Sequence, residues 1–327
     1  MKSPLRSKLL FTFAALVMIA TALLIPLSSS LMHSYAHKSH ASLATLPTGI
    51  LPSPSATPPS PTPTIEPAQW TVKTHIPYVT IAGVKYIFNL YTPTPTPSTK
   101  TPLVLVFHGC CSKGVSVNNP DVVLQLTYTP VSAVAYLFHA LMNNGYQVAT
   151  LGYPINNIAA TTATGIAAKA AVRYFRANAA QYHIDPIRII AWGYSMGGDP
   201  ANLLGIASAN EAPKFEVGKN LQYSDRVEAV LDWCGMTDII KPAWIDGGDA
   251  PTLIQHGTLD TSVKPSMSLT LFHELTAAHV FVELQWVQNG KHMFAGTNIN
   301  PDFTGITETA ITFLNAEVRD NPNPLPQ

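Results

Sequence analysis

At Gly193-Tyr194-Ser195-Met196-Gly197-Gly198 a serine is flanked by glycines two residues to either side, after an apolar run at 187–192 and before a helical pattern. This is G-x-S-x-G between a strand and a helix. The sharp turn such spacing builds holds the serine hydroxyl clear of the sheet edge, and the small flanking residues let strand and helix approach each other. The start of the following helix aims backbone N–H groups at negative charge that develops nearby. The chemistry suited to this arrangement is nucleophilic attack on an acyl carbonyl, with Ser195 as the nucleophile. An ordinary glycine-rich turn could carry the same letters, so the reading depends on finding a base and an acid for the serine.

A serine hydroxyl is a weak nucleophile until an imidazole takes its proton. The sequence has 11 histidines. His292 follows Gly290-Lys291 in a loop after the strand pattern at 280–287, where it can fold back over the carboxyl edge of a parallel sheet. His139 and His273 lie within helical patterns, His183 and His279 near helix ends where imidazoles cap carbonyls, and His108 reads as loop packing. His33, His37 and His40 are spaced like metal ligands but lack acidic companions, and read as solvated linker. No metal or other cofactor is expected.

The orienting carboxylate should also leave a strand end. Asp260, closing Thr252-Leu253-Ile254-Gln255-His256-Gly257-Thr258-Leu259-Asp260, is preferred, and Asp238, after the strand pattern at 227–232, competes. Ser195, Asp260 and His292 occur in the chain order Ser, Asp, His. Asp199, in the first turn after the glycine pair, suits the helix dipole and reads as structural. A further strand pattern at 103–107 ends in His108-Gly109-Cys110-Cys111, which brings a glycine-containing loop to the same edge. Backbone N–H groups of Cys110 or Cys111, with that of Met196, are the candidate donors for an oxyanion.

These residues need a scaffold that gathers strand ends at one rim. Strand patterns fall at 84–91, 103–107, 147–151, 187–192, 227–232, 252–255 and 280–287, and helical patterns at 131–143, 163–181, 197–209, 266–278 and 304–318. In the second helix Ile166, Ala167, Ala170, Ala171, Tyr174 and Phe175 make one stripe. Several strand patterns are apolar on both faces, as buried parallel strands are. The alternation predicts an α/β fold with a mostly parallel sheet and helices on both faces. Insertions at 112–130 and 241–250 are expected to shape the substrate pocket.

Of 327 residues, 46% are hydrophobic and 12% charged, with a net charge of zero. This excludes a disordered polyelectrolyte and gives no basic footprint for nucleic acid. Four basic and no acidic residues stand in the first 60 positions, leaving 15 basic against 19 acidic in the rest. Lys2, Arg6 and Lys8 precede an apolar run at 9–27, which reads as a signal peptide or signal anchor. Small residues at Ser34 and Ala36, or at Ser39 and Ala41, suit cleavage, while the run is also long enough to span a bilayer. Residues 42–67 carry eight prolines among Ser and Thr and read as an extended stalk. The expected organisation is a targeting segment at 1–41, a Pro/Ser/Thr-rich linker at 42–69 and a catalytic domain at 70–327, secreted or tethered to the outer surface.

Together these motifs resemble the α/β-hydrolase fold, and within it feruloyl-esterase-like and hormone-sensitive-lipase-like esterases. The resemblance runs over 71–294 and includes Asn89-Leu90-Tyr91-Thr92-Pro93, His108-Gly109, Ile184-Asp185-Pro186-Ile187-Arg188-Ile189, Gly235-Met236-Thr237-Asp238, the Asp260 segment and Gly290-Lys291-His292. Such esterases carry two or three glycines after the histidine, whereas this chain has Gly109-Cys110-Cys111. A His-Gly-Cys turn is similar to that of extracellular polyhydroxybutyrate depolymerases and related feruloyl esterases. The resemblance implies an eight-stranded sheet and a cofactor-free serine esterase with Ser195, Asp260 and His292 as triad. It leaves open two states for Cys234: a disulfide to Cys110 or Cys111 that pins the oxyanion loop, or a buried free thiol. The expected substrate is a small or polymer-linked carboxylic ester, with a membrane tether through the N-terminal segment as the other candidate partner. The alternatives are a serine peptidase of the prolyl-peptidase-like type and a surface binding protein that keeps the fold without catalysis.

Overall fold

Runs of β-branched and aromatic residues bounded by Gly, Pro and Asn pair into one eight-stranded sheet in the order β1-β2-β4-β3-β5-β6-β7-β8. The computed structural model describes residues 68–109, 119–121, 132–154 and 162–321, all within a compact unit spanning Ser60–Gln327. The strands are β1 (Trp70–Ile81), β2 (Val84–Pro93), β3 (Thr101–Phe107), β4 (Gln147–Leu151), β5 (Ile184–Tyr194), β6 (Ala229–Trp233), β7 (Thr252–Gly257) and β8 (Val282–Val287). β2 is antiparallel to both β1 and β4, and every pairing from β4 through β3 to β8 is parallel. The parallel strands therefore deliver their carboxyl ends to one rim.

Burial follows the strand period of two. Val104 and Val106 of β3 join one core cluster, whereas Leu103, Leu105 and Phe107 join the cluster on the other face. The first face is covered by α1 (Ala133–Asn143) and α5 (Phe303–Leu314) through Leu137, Phe138, Leu141, Ile306, Ala310 and Phe313. α2 (Thr162–Ala177) and α3 (Gly198–Ile206) cover the second. α4 (Pro265–Ala277) closes a smaller cluster with Ile254 through Leu271 and Leu275. Ser132 caps α1 by accepting from Ala135 N–H at 3.1 Å, and Asp302 caps α5 by accepting from Gly305 N–H at 3.0 Å.

Three features differ from the sequence expectation. β1 has no counterpart among the strand patterns: it is a largely exposed edge strand, with register shifts at Lys73/Ile76 and Pro77/Val79, so no buried alternation marks it. The second helix ends at Ala177 and is followed by a single turn, Ala179–Tyr182; its burial extends beyond the predicted stripe to Lys169 and Arg173. Both cations are fully buried and paired, Lys169 Nζ at 2.9 Å from Asp225 Oδ1 and Arg173 at 2.7 Å from Asp225 Oδ2, with Glu216 completing the group. A buried charge survives there only because each partner is present. His183 and His279 do stand at helix ends, but with left-handed backbones at φ 59° and 64° whose own N–H groups bond Ala180 O and Thr276 O.

The expected targeting segment and most of the linker lie outside the described residues, as do Cys110, Cys111 and most of the insertion at 112–130. No helix among the described residues is long and apolar enough to cross a membrane.

Candidate active site

β5 runs directly into the turn that carries Ser195. Ser195 has φ 57°, a left-handed backbone that costs a non-glycine residue about 1–2 kcal/mol. The strain is held by packing: a Cβ on Gly197 would lie 1.9 Å from Phe107 O, so only glycine lets this turn sit against the end of β3. Ser195 O in turn accepts from Met236 N–H at 2.9 Å, tying the turn to the loop after β6. The 3-10 turn Ser195–Gly197 leads into α3, and Met196, buried within it, follows the nucleophile candidate directly.

Asp260 leaves the end of β7. Its Oδ1 accepts from the N–H groups of Ser262 at 2.7 Å and Val263 at 3.0 Å, so the carboxylate organises its own loop. His292 follows β8 in the short turn His292–Phe294, and Met293 and Phe294 both take left-handed backbones. Phe294 is fully buried against Trp233, ring centroids 5.1 Å apart, and anchors this turn in the core. Leu259 N–H donates to Gly290 O at 2.8 Å, joining the Asp260 and His292 loops.

The three side chains form one hydrogen-bonded chain. His292 Nδ1 lies 2.7 Å from Asp260 Oδ2, and His292 Nε2 lies 3.0 Å from Ser195 Oγ. A buried carboxylate oxygen accepts, so Nδ1 carries the proton and Nε2 is left to accept from the serine hydroxyl. The arrangement can take the Ser195 proton as the hydroxyl attacks and return it to a leaving group. Asp260 is buried, whereas the His292 side chain is 26% exposed.

The other candidates fall away from this chain. Asp238 is exposed on the loop after β6. Asp199 is fully buried, accepts from Ile239 N–H at 3.0 Å and has its second oxygen unpartnered among the described residues; burial pushes its carboxyl up to about 7. His108 is buried against the Tyr153 ring, its Nδ1 2.8 Å from Gly109 O; burial pulls its imidazole down, toward the neutral form. Trp244, in the loop at 241–250, turns inward onto Phe215.

The loop after β3 abuts the serine: a Cβ on Gly109 would lie 2.8 Å from Ser195 Cβ and 3.3 Å from its Oγ. Cys110 and Cys111, the oxyanion candidates beyond it, lie outside the described residues. Cys234, after β6, is a buried free thiol, the second of the two states left open by the sequence. Its Sγ faces Met293 Sδ at 3.6 Å and lies with the ligand atoms of Asp260 and His292 inside a 4.8 Å group. Burial pushes the thiol up, away from the thiolate a metal would take, and Asp260 and His292 are already committed to each other.

Sequence reasoning passed over His256, at the end of β7. It is fully buried, with Nε2 3.3 Å from Asp260 Oδ2. The four-residue spacing to Asp260 was visible, but only the turn of the loop back over the strand end brings the two together.

Residues 88–244 match the model of the BD-FAE family. No curated protein matches the chain. Among solved structures, a truncated carbohydrate esterase from gut microbiota superimposes with a TM-score of 0.58 at 20% identity, over 75% of this chain and 96% of that one. Thermogutta terrifontis esterase 2 phosphorylated by paraoxon gives 0.56 at 19% identity, over 78% and 95%. A bifunctional GH43-CE protein of Bacteroides eggerthii gives 0.57 at 20% identity, over 75% of this chain and 38% of that one. At such identities the structures establish the shared architecture alone. The chain has the α/β-hydrolase fold, and its residues 88–244 resemble an esterase family.

Proposed function

We infer that the chain hydrolyses carboxylic esters by two-step acyl transfer through an acyl-enzyme on Ser195. The observation that carries this reading is the hydrogen-bonded chain from Ser195 through His292 to Asp260. Ser195 Oγ attacks the ester carbonyl while His292 Nε2 takes its proton, and Asp260 holds the imidazole in the productive tautomer. The tetrahedral oxyanion is received by the N–H of Met196 and by N–H groups of the loop beyond Gly109, at Cys110 or Cys111. Collapse expels the alcohol, which takes the proton from His292. Water then attacks the acyl carbon and gives a proton to His292, and collapse of this second tetrahedral intermediate breaks the acyl bond to Ser195 Oγ as His292 returns the proton to Oγ, releasing the acid. Phosphorylation of the similar Thermogutta terrifontis esterase 2 by paraoxon supports a nucleophile of this kind on this fold.

The substrate class is a carboxylic ester, small or attached to a polymer, met outside the cell after export through the basic and apolar N-terminal segment. The test is hydrolysis of p-nitrophenyl butyrate by the full chain and by Ser195→Ala. Turnover should be present in the first and lost in the second with the fold intact. Equal turnover in both overturns the reading.

A further inference from the structure

We propose that His256 is a positioning residue for this reaction, holding the Asp260 carboxylate in register with His292; the inference rests on the acyl-transfer reading above. Three contacts define its state. His256 Nε2 lies 3.1 Å from Val263 O and 3.3 Å from Asp260 Oδ2, and Nδ1 lies 2.7 Å from Ser268 Oγ. A carbonyl oxygen only accepts, so the proton sits on Nε2 and is donated to Val263 O, with Asp260 Oδ2 in close electrostatic contact beside the same N–H. Ser268, fully buried in the first turn of α4, then donates its hydroxyl proton to Nδ1 and selects that tautomer.

Asp260 thereby receives donors on both oxygens from two sides. Oδ1 takes the N–H groups of Ser262 and Val263, which belong to its own loop. Oδ2 accepts from His292 of the loop after β8, and the Nε2 of His256, at the end of β7, stands 3.3 Å from it as a close polar contact. The loop contacts fix where Asp260 sits, and His256, held by β7 and by Ser268 of α4, in turn fixes that loop through Val263 O. Its Nε2 stands beside the oxygen that faces the reacting histidine. Without His256 the Val263 segment loses its tie to β7 and Oδ2 loses the polar contact beside it, and the carboxylate can turn with the imidazole as it gains and loses its proton. A buried carboxylate that turns no longer holds Nε2 on the line to Ser195 Oγ. His256 touches no reacting atom and acts through Asp260.

A histidine that merely packs the loop would make the same contacts, so the test separates donor from volume. Gln places an amide N–H near the position of Nε2, and Met fills similar space without a donor. His256→Met should lower kcat on p-nitrophenyl butyrate by about tenfold or more with KM within about twofold, and His256→Gln should recover most of that loss. Ser268→Ala, which leaves the packing nearly untouched, should lower kcat by about threefold or more by removing the hydrogen bond that anchors the ring to α4. Equal losses in the Gln and Met variants, or kcat within about twofold of the parent in both His256→Met and Ser268→Ala, overturn the inference. Ser195→Ala run alongside keeps the two levels apart. Turnover that survives Ser195→Ala removes the acyl-transfer reading and this inference with it, whereas Ser195-dependent turnover indifferent to His256 and Ser268 removes the inference alone.

Discussion

His292 Nε2 stands 3.0 Å from Ser195 Oγ although 97 residues separate them in the chain. The distance is set by two anchors that have nothing to do with proton transfer. Gly197 packs on the carbonyl of Phe107 and fixes the serine turn, and Phe294 sinks into the core beside Trp233 and fixes the histidine turn. Because β5, β7 and β8 run parallel, both turns and the Asp260 loop emerge at the same rim.

Asp260→Asn keeps an oxygen for the Ser262 and Val263 N–H groups and turns an amide nitrogen toward His292. The imidazole then accepts at Nδ1 and carries its proton on Nε2, so it has no lone pair for the serine proton. The expected loss in kcat is about 10³–10⁴-fold with little change in melting temperature. Steady-state kinetics on p-nitrophenyl butyrate together with a thermal melt checks this.

Gly109→Ala places a methyl group 2.8 Å from Ser195 Cβ. Either the serine turn or the oxyanion loop must give, and both outcomes move the hydroxyl relative to its oxyanion donors. A fall in kcat of about tenfold or more is expected, with a smaller change in KM, and kcat at the parent value would show that this loop does not crowd the nucleophile.

Asp199 gives a pH dependence of stability with a definite sign. Its carboxyl is held near 7 in the native state, against an ordinary value of 3.8, by burial. Between those values the native protein binds a proton that the unfolded chain has lost, so this group's contribution is full below about pH 4, falls as pH rises and is gone above about pH 7. Asp199→Asn retains the acceptor for Ile239 N–H and abolishes the titration. Urea unfolding at pH 8 should show the variant more stable by about 2 kcal/mol, with the difference vanishing near pH 4. Asp249, also pushed up to about 7 by burial, retains its own slope of the same sign in both proteins.

The parts of this molecule legible in the sequence are those where local chemistry and fold agree. The glycines around Ser195 announce a tight turn, and the apolar runs ending near Asp260 and His292 read as buried parallel strands, so the three residues could be assigned to one rim. β1 was not legible, because an exposed edge strand with Pro77 at a register shift has no apolar alternation. The stripe on α2 accounts for Ala167, Ala170, Ala171 and Phe175, but Lys169 and Arg173 are buried by partners 43 to 56 residues away that no helical period reveals. For Cys234, spacing allowed both a disulfide and a free thiol, and the choice depends on a side chain that turns toward Met293. The contact of His256 with Asp260 belongs to the same class: the residues are near in sequence, but the path of the loop decides whether they meet.

The most direct measurement is active-site labelling of the full chain with a fluorophosphonate, followed by peptide mapping. A single adduct on Ser195 is expected, with ester turnover lost in proportion to labelling, and with labelling slowed in Asp260→Asn and absent in Ser195→Ala. Correctly folded protein that hydrolyses esters while Ser195 stays unmodified, or that carries its adduct on another residue, would contradict the assignment of Ser195 as the nucleophile.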